Sequence, residues 1–511
     1  MNRNAMILLI LTVVAKLSGF IREMILSYYY GVSYLSDAYL ISTTIPSVFI
    51  SFIGIGITTG FIPMYSKIEK NDGMLAADLF TNKLLSSILL IFTAILLVSF
   101  PFAERIVKVF AYGFEGNTLK LATKFTRISL FSIFFTGSIY VYSGLLNLKE
   151  NYVAPGLIAI PLNITIILAI MISSKSNVYI LSIGTLLASV FQCIFLLAFV
   201  KKNRFKHRFI IDFNDPNIRD LGVISIPIII GMSISQLNVL IDKTIASAIF
   251  TGGISALNYA NKLNLFIYSV FVIPIVTVMY PSISKMSANG DKQKFKKAII
   301  EAINAVNIFV IPASVGAVLH AKPIITLLFE RGAFDSDAVV MTANALLFYS
   351  IGMVAIGLRE VLSRAFYSLQ NTKTPMINAT IGVMINIIFN LILSKFMGIS
   401  GLALATSISA IFTMVLMFIS FRTKFGPFGL KNVIITSLKI TIASLIMGLF
   451  SKLGFNFFSD IFSQNFSLIL AMVIGVITYF ITLHFMKIED IDVIKNVIKD
   501  KIRTRRYSSK L

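Results

Sequence analysis

The chain is 511 residues long, 57% hydrophobic and only 13% charged, with a mean hydropathy of +0.86. A soluble domain carries about 25% charged residues, so a water-covered globule of this size is excluded and lipid must cover much of the surface. The net charge of +22 would suggest nucleic acid in a soluble chain. Here the basic residues lie mostly between apolar runs and at the C-terminus, where topology signals and membrane lipid headgroups account for them, and no nucleic-acid partner is expected.

Apolar runs long enough to cross a bilayer, about twenty residues each, are predicted near 5–30, 35–63, 77–101, 122–147, 152–173, 177–200, 220–250, 255–283, 297–320, 338–368, 374–395, 400–422, 431–455 and 463–486. All must be helices, because lipid cannot satisfy the backbone groups of an open strand. The expected fold class is an all-α polytopic membrane protein of about fourteen transmembrane helices. The first run holds Lys16 and Arg22 and lacks a small-residue cleavage site, so it is read as a span and not as a removable signal peptide.

Lys and Arg in alternate connections set the orientation. One side collects Lys67 and Lys70, then Lys201, Lys202, Arg204, Lys206 and Arg208, then Lys285, Lys292, Lys294, Lys296 and Lys297. Arg422, Lys424 and the tail from Lys487 to Lys510 follow on the same side. The opposite connections are sparse, and their richest stretch, Arg105, Lys108 and Lys120, goes against the trend. The positive-inside rule then places both termini in the cytoplasm.

The chain also repeats itself. Tyr39 and Tyr259 are 220 positions apart, and so are Phe114 and Phe334, and Glu150-Asn151 and Gln370-Asn371; Pro63 and Pro281 differ by 218. The same offset in the same order implies duplication. It divides the chain into an N-terminal lobe of six spans at 1–215 and a C-terminal lobe of six at 216–425. Two additional spans at 426–487 and a basic cytoplasmic tail at 488–511 follow. An even span number keeps the repeats parallel, as between transporter halves, around a central cavity.

Charges inside spans cost at least about 2.5–3.5 kcal/mol each and are functional candidates. The first span carries Lys16, Arg22 and Glu23, and the second begins near Asp37. The seventh carries Gln236, Asn238, Asp242 and Lys243, the eighth Asn258, Asn261 and Lys262, and the tenth Arg359, Glu360 and Arg364. Lys16 and Glu23 fall on one helical face, with Arg22 about 100° round from Glu23, while Asn258 and Lys262 share a stripe. These residues either line a cavity or make interhelical pairs and snorkelling ends. Asp37 either meets cargo or caps its helix. Glu23, Asp242, Asn258 and Arg364 are candidates for cavity or gating roles.

Other signals are weak. Cys193 reads as a small buried hydrophobe, and His207, His320 and His484 lack ligand spacing, so no metal site is expected. No Walker loop or nucleophile–base pattern occurs, which points to a transporter and not an enzyme. No cofactor is expected, and the driving force would be a coupling ion, Na+ or H+, or the membrane potential.

Lys16-Leu17-Ser18-Gly19-Phe20-Ile21-Arg22-Glu23, followed by Tyr30-Gly31-Val32 and Ser36-Asp37-Ala38-Tyr39, resembles the opening signature of the MurJ (MviN) lipid II flippases, members of the multidrug/oligosaccharidyl-lipid/polysaccharide exporter superfamily. Phe329-Glu330-Arg331-Gly332-Ala333-Phe334, Asn371-Thr372-Lys373-Thr374-Pro375 and Gly401-Leu402-Ala403-Leu404-Ala405-Thr406-Ser407 resemble later landmarks of that family. The resemblance implies a flippase that moves an undecaprenyl-diphosphate-linked disaccharide-pentapeptide between leaflets by alternating access, with cell-wall synthesis proteins as candidate partners. It also implies that Lys16, Arg22, Asp37 and Lys262 meet the lipid-linked glycan diphosphate.

One segment departs from the family pattern. After Pro46, where the family usually has one or two basic residues, the chain reads Ser-Val-Phe-Ile-Ser-Phe-Ile-Gly without a charge. Lys16 and Lys262 also stand where the family has arginines, and a lysine is a point charge where arginine grips phosphate bidentately. A flippase for another lipid-linked repeat unit, of O-antigen or capsule type, or a MATE-like antiporter is therefore the alternative.

Overall fold

The computed structural model describes residues 3–56, 60–203 and 205–486. The predicted tail at 488–511 and Arg204 lie outside these residues. Among the described residues every regular element is a helix. In the first half these are α1 (Arg3–Tyr30), α2 (Tyr34–Gly56), α3 (Ile62–Asp72), α4 (Met74–Ser99), α5 (Ala103–Phe110), α6 (Gly116–Leu130), α7 (Ser132–Leu148), α8 (Val153–Leu157), α9 (Ala159–Ser173) and α10 (Ile180–Lys202). The chain continues with α11 (Pro216–Ile249), α12 (Gly253–Ile267), α13 (Ile273–Ala288), α14 (Lys292–Leu319), α15 (Ala321–Phe329), α16 (Ser336–Ser368), α17 (Lys373–Met397), α18 (Ile399–Phe425), α19 (Leu430–Ser459) and α20 (Gln464–Phe485).

Eleven helical stretches among the described residues are long and apolar enough to cross a membrane, and they coincide with eleven of the predicted runs. The other three runs are occupied by α1, α2 and α11, of 28, 23 and 34 residues. In-span charges noted above lie on all three: Lys16, Arg22 and Glu23 on α1, Asp37 on α2, and Asp242 and Lys243 on α11.

Packing divides the chain into two compact units. One runs to Tyr259 and takes in Phe329–Ala338; the other holds Ala260–Leu328 and continues from Val339. This boundary lies beyond residue 215, where the sequence repeat changes over, because α11 packs along α2, α4 and α5. In the first unit, Phe61, Tyr65, Phe80, Leu85 and Phe92 form a buried core with Ile133 and Val141. The linker after α10 is fastened to α4. Asn82 Oδ1 accepts from Arg208 N at 2.8 Å, Ser86 Oγ from Ile210 N at 3.0 Å, and Lys83 Nζ donates to Asp212 at 2.8 Å and Asp215 at 2.7 Å.

The second unit contains the hairpins α17–α18 and α19–α20, with α19 against α14. Interhelical polar contacts hold them, as expected where lipid provides no hydrophobic drive between helices. Asn378 donates to Ser420 Oγ at 3.0 Å, and Asn307 to Ser437 Oγ at 2.8 Å.

The duplication is visible in the backbone. Among the described residues, the non-glycine positions with positive φ are Glu150 and Gln370, both at 58°. Each ends a helix with the same bond, from Asn151 N to Leu146 O at 2.9 Å and from Asn371 N to Phe366 O at 3.0 Å. This is the six-to-one closure of a Schellman cap. Each asparagine then accepts from a backbone N–H three residues on, Ala154 at 3.4 Å and Thr374 at 3.1 Å.

Candidate functional site

The C-terminal part of α1 presents a connected polar group in the first unit. Ser18 Oγ donates to Ala15 O at 2.9 Å and accepts from Asn163 Nδ2 of α9 at 2.8 Å. Asn163 Oδ1 accepts from Arg22 Nη1 at 3.1 Å. Arg22 Nη2 donates to Glu23 Oε1 at 2.7 Å, and Glu23 Oε2 accepts from Asn258 Nδ2 of α12 at 3.1 Å. Neighbouring residues on a helix normally point apart. Here the long guanidinium stem folds back, so two side chains about 100° apart still pair.

Arg22 remains 22% exposed at its side chain while Glu23 is 5% exposed. A guanidinium has five N–H donors, and two are engaged by Asn163 and Glu23. The others have no partner among the described residues and are free for a planar anion. The site can therefore grip a phosphate or carboxylate in forked geometry.

Asp37 occupies a different setting. It lies in the first turn of α2 and is 1% exposed. Its Oδ2 accepts from Gly252 N and its Oδ1 from Ser255 N, both at 2.7 Å. A carboxylate on one helix thus closes the N-terminus of another, α12, where orphan N–H groups and the helix dipole favour negative charge. Ser255 Oγ completes the turn by donating to Gly252 O at 2.9 Å. The helix that Asp37 caps is α12 and not its own.

The same corner allows only glycine at two positions. Gly31 has φ of +56°, and a Cβ there would lie 2.1 Å from Ala333 O. Gly252 has φ of +91°, and its Cβ would lie 2.5 Å from Val32 Cγ1. Ala333 N donates to Tyr28 O at 2.8 Å, and Tyr259 Oη to Gly31 O at 3.3 Å. The Tyr259, Phe329 and Phe334 rings pack with centroids 5.4–5.7 Å apart, and Phe20 meets Phe329 edge-on at 6.0 Å.

The remaining predicted residues are dispersed. Lys16 is exposed and forms no hydrogen bond or ion pair among the described residues. It shares a helical face with Glu23, but the cover supplied by Asn258 does not extend two turns back. Asp242 is half-buried on α11, where the neighbouring Lys243 donates to the Thr44 hydroxyl of α2. Lys262 is half-buried on α12 and belongs to the second unit. In that unit Arg364 Nε donates to Glu360 Oε1 at 2.9 Å and its guanidinium lies 5.8 Å from the Tyr280 ring centre. Among the described residues no group of three His, Cys, Asp or Glu could hold a metal.

Asn163 was not foreseen. Its only sequence signal is one amide inside an apolar run, and its partners stand about 140 positions away.

Spanning helices, an internal duplication and a hydrogen-bonded arginine inside a span are the features of a membrane transporter. The family described as "Lipid II flippase MurJ" matches residues 26–474, and the chain belongs to that family. It is 29% identical to "Lipid II flippase MurJ" of Thermosipho africanus over 92% of this chain and 94% of that one. It is 28% identical to "Probable lipid II flippase MurJ" of Buchnera aphidicola over 80% of this chain and 81% of the relative. A solved lipid II flippase MurJ in an inward closed conformation aligns with a TM-score of 0.82 and 29% identity, covering 94% of this chain and 98% of that chain. An inward-facing multidrug resistance MATE transporter of the MOP superfamily aligns with a TM-score of 0.70 at 15% identity over 82% of this chain and 98% of that chain, a likeness of fold alone.

Proposed function

We infer that this chain moves lipid II from the cytoplasmic to the outer leaflet of a bacterial cytoplasmic membrane by alternating access, with both termini in the cytoplasm. The family match and the names of its relatives carry the cargo, and one observation carries the site. Arg22 is held by Asn163 and Glu23 with further donors unengaged, which suits one face of a diphosphate. Charge-assisted hydrogen bonds of this kind contribute about 1.5–3 kcal/mol each. Lys16, on the same helix as Arg22, supplies further positive charge. Asp37 acts on α12 and not on the diphosphate.

The test is complementation of a strain depleted of its own lipid II flippase. Arg22→Ala alone takes one hydrogen-bonded partner from the buried Glu23 carboxylate, so lost abundance would mimic lost transport. The double variant Arg22→Ala, Glu23→Gln removes both charges. It is expected to reach the membrane at near-normal abundance and to fail to complement. Full complementation by that variant would reduce Arg22 to a structural residue.

A further inference from the structure

Between Phe100 and Phe131 stand five cations, Arg105, Lys108, Lys120, Lys124 and Arg127, and only two carboxylates, Glu104 and Glu115. The positive-inside reading of the chain puts this stretch outside, where such an excess opposes the orientation signal. The structure arranges the five in two stripes. Arg105 and Lys108 are three apart on α5, and Lys120, Lys124 and Arg127 are at i, i+4 and i+7 on α6, one face each. The two helices pack together. Their opposite faces are buried, through Ala103, Val107 and Phe110 on α5 and Ala122, Phe125 and Ser129 on α6.

None of the five makes an ion pair among the described residues. Four lie against aromatic rings instead. Arg105 is 5.4 Å from the Phe102 centroid, Lys108 5.9 Å from Tyr112, Lys124 5.4 Å from Tyr179, and Arg127 5.5 Å from Phe100. A ring steadies a cation without neutralising it, so charge remains for a ligand. Arg127 Nε is buried without a partner.

The surroundings identify the ligand. Leu97, Val98, Val109 and Tyr112 are strongly exposed beside the cations, which a surface facing only water would not favour. Apolar side chains interleaved with cations and aromatics mark the headgroup layer of a bilayer. From Lys120 to Arg127 the α6 stripe rises about 10 Å, close to the roughly 5–8 Å depth of one headgroup layer. We propose that α5 and α6 form a binding surface for anionic phospholipid headgroups of the outer leaflet. The leaflet assignment rests on the orientation given under Proposed function; the lipid site itself does not. Bound phosphates neutralise the outer cations, hold the short α5 in the interface and remove the conflict with the orientation signal.

The chain contains no tryptophan, so Tyr112→Trp gives a single reporter inside the patch. Purified full-length protein is reconstituted with dibrominated phosphatidylglycerol or dibrominated phosphatidylcholine over the same series of mole fractions. Phosphatidylglycerol is expected to quench the reporter at about one-tenth the mole fraction that phosphatidylcholine needs, since several cations act together. That preference is expected to disappear in Arg105→Gln, Lys108→Gln, Lys124→Gln. Equal quenching by the two lipids in the otherwise unaltered protein overturns the site without recourse to the triple variant. An Asn117→Cys, Cys193→Ser protein labelled with an impermeant thiol reagent on intact cells tests the leaflet separately. Labelling is expected; protection of residue 117 together with a phosphatidylglycerol preference would overturn the outer-leaflet assignment.

Discussion

Asp37→Asn isolates the closure of α12 from every other feature of the first unit. The native carboxylate accepts two backbone N–H bonds, from Gly252 and Ser255, at 2.7 Å each in a site that is 1% exposed. An asparagine retains one acceptor oxygen but turns an NH2 group toward the second N–H. One buried bond to a charged group is therefore lost, worth about 1.5–3 kcal/mol, and the charge facing the helix dipole disappears as well. Since 1.4 kcal/mol is tenfold in an equilibrium, amide hydrogen exchange across residues 251–256 is expected to accelerate by about ten- to a hundred-fold. The Glu150–Asn151 corner, closed by its own bonds, is expected to exchange at the native rate. Unchanged exchange at 251–256 in a folded Asp37→Asn protein would refute the assignment of Asp37 as the cap of α12.

Topology is best probed at Lys201 and Thr251, because Phe205 and Gly252 nearby are buried. In a Cys193→Ser background, Thr251→Cys is expected to label from outside on intact cells and Lys201→Cys to remain protected; the reverse pattern would invert the orientation. The Lys83 hydrogen bond holds Asp212 below the usual carboxylate range; at Asp215, burial pushes the carboxyl up, but Lys83 and the Asn217 N–H outweigh it and hold it low. A depressed pKa contributes stability above the unfolded value of about 3.9 and loses it as pH falls through the folded value, so exchange in the 206–215 linker is expected to rise below about pH 4; a Lys83→Met protein showing the same acid response would exclude this linkage. Energy coupling is testable in liposomes, since one charge crossing 100 mV is worth about 2.3 kcal/mol. If net positive charge at Lys16, Arg22 and Lys262 returns the empty carrier inward, an inside-negative potential should lower external labelling of Leu17→Cys at constant pH and sodium; indifference to voltage would favour Na+ or H+ exchange.

The spans and the duplication were legible because both are written as periodic patterns along the chain. Apolar runs fix where helices can lie in lipid, and the 220-residue offset reappears as matched left-handed corners at Glu150 and Gln370. The polar site was legible in part. Arg22 and Glu23 stand out as charges in a span, and Asn258 as a polar residue near them in function. Their pairing was not legible, because helical geometry alone sets Arg22 and Glu23 apart and only side-chain length reunites them. Asn163 gave no pattern, since one amide specifies no partner. The role of Asp37 was hidden for another reason: its partners are backbone N–H groups about 215 residues away, and a backbone donor leaves no mark on residue identity.

The closure of α12 also shows where the duplication has ceased to be symmetric. The position 220 residues after Asp37 is Leu257, a buried hydrophobe whose side chain can accept no hydrogen bond. One half of the chain therefore supplies the anion, and the other supplies the helix end that receives it. A protein assembled from two copies of the second half would have two helix ends and no carboxylate; one made from two first halves would bring a second carboxylate to a corner that uses one. The halves have become complementary parts, and neither can stand in for the other.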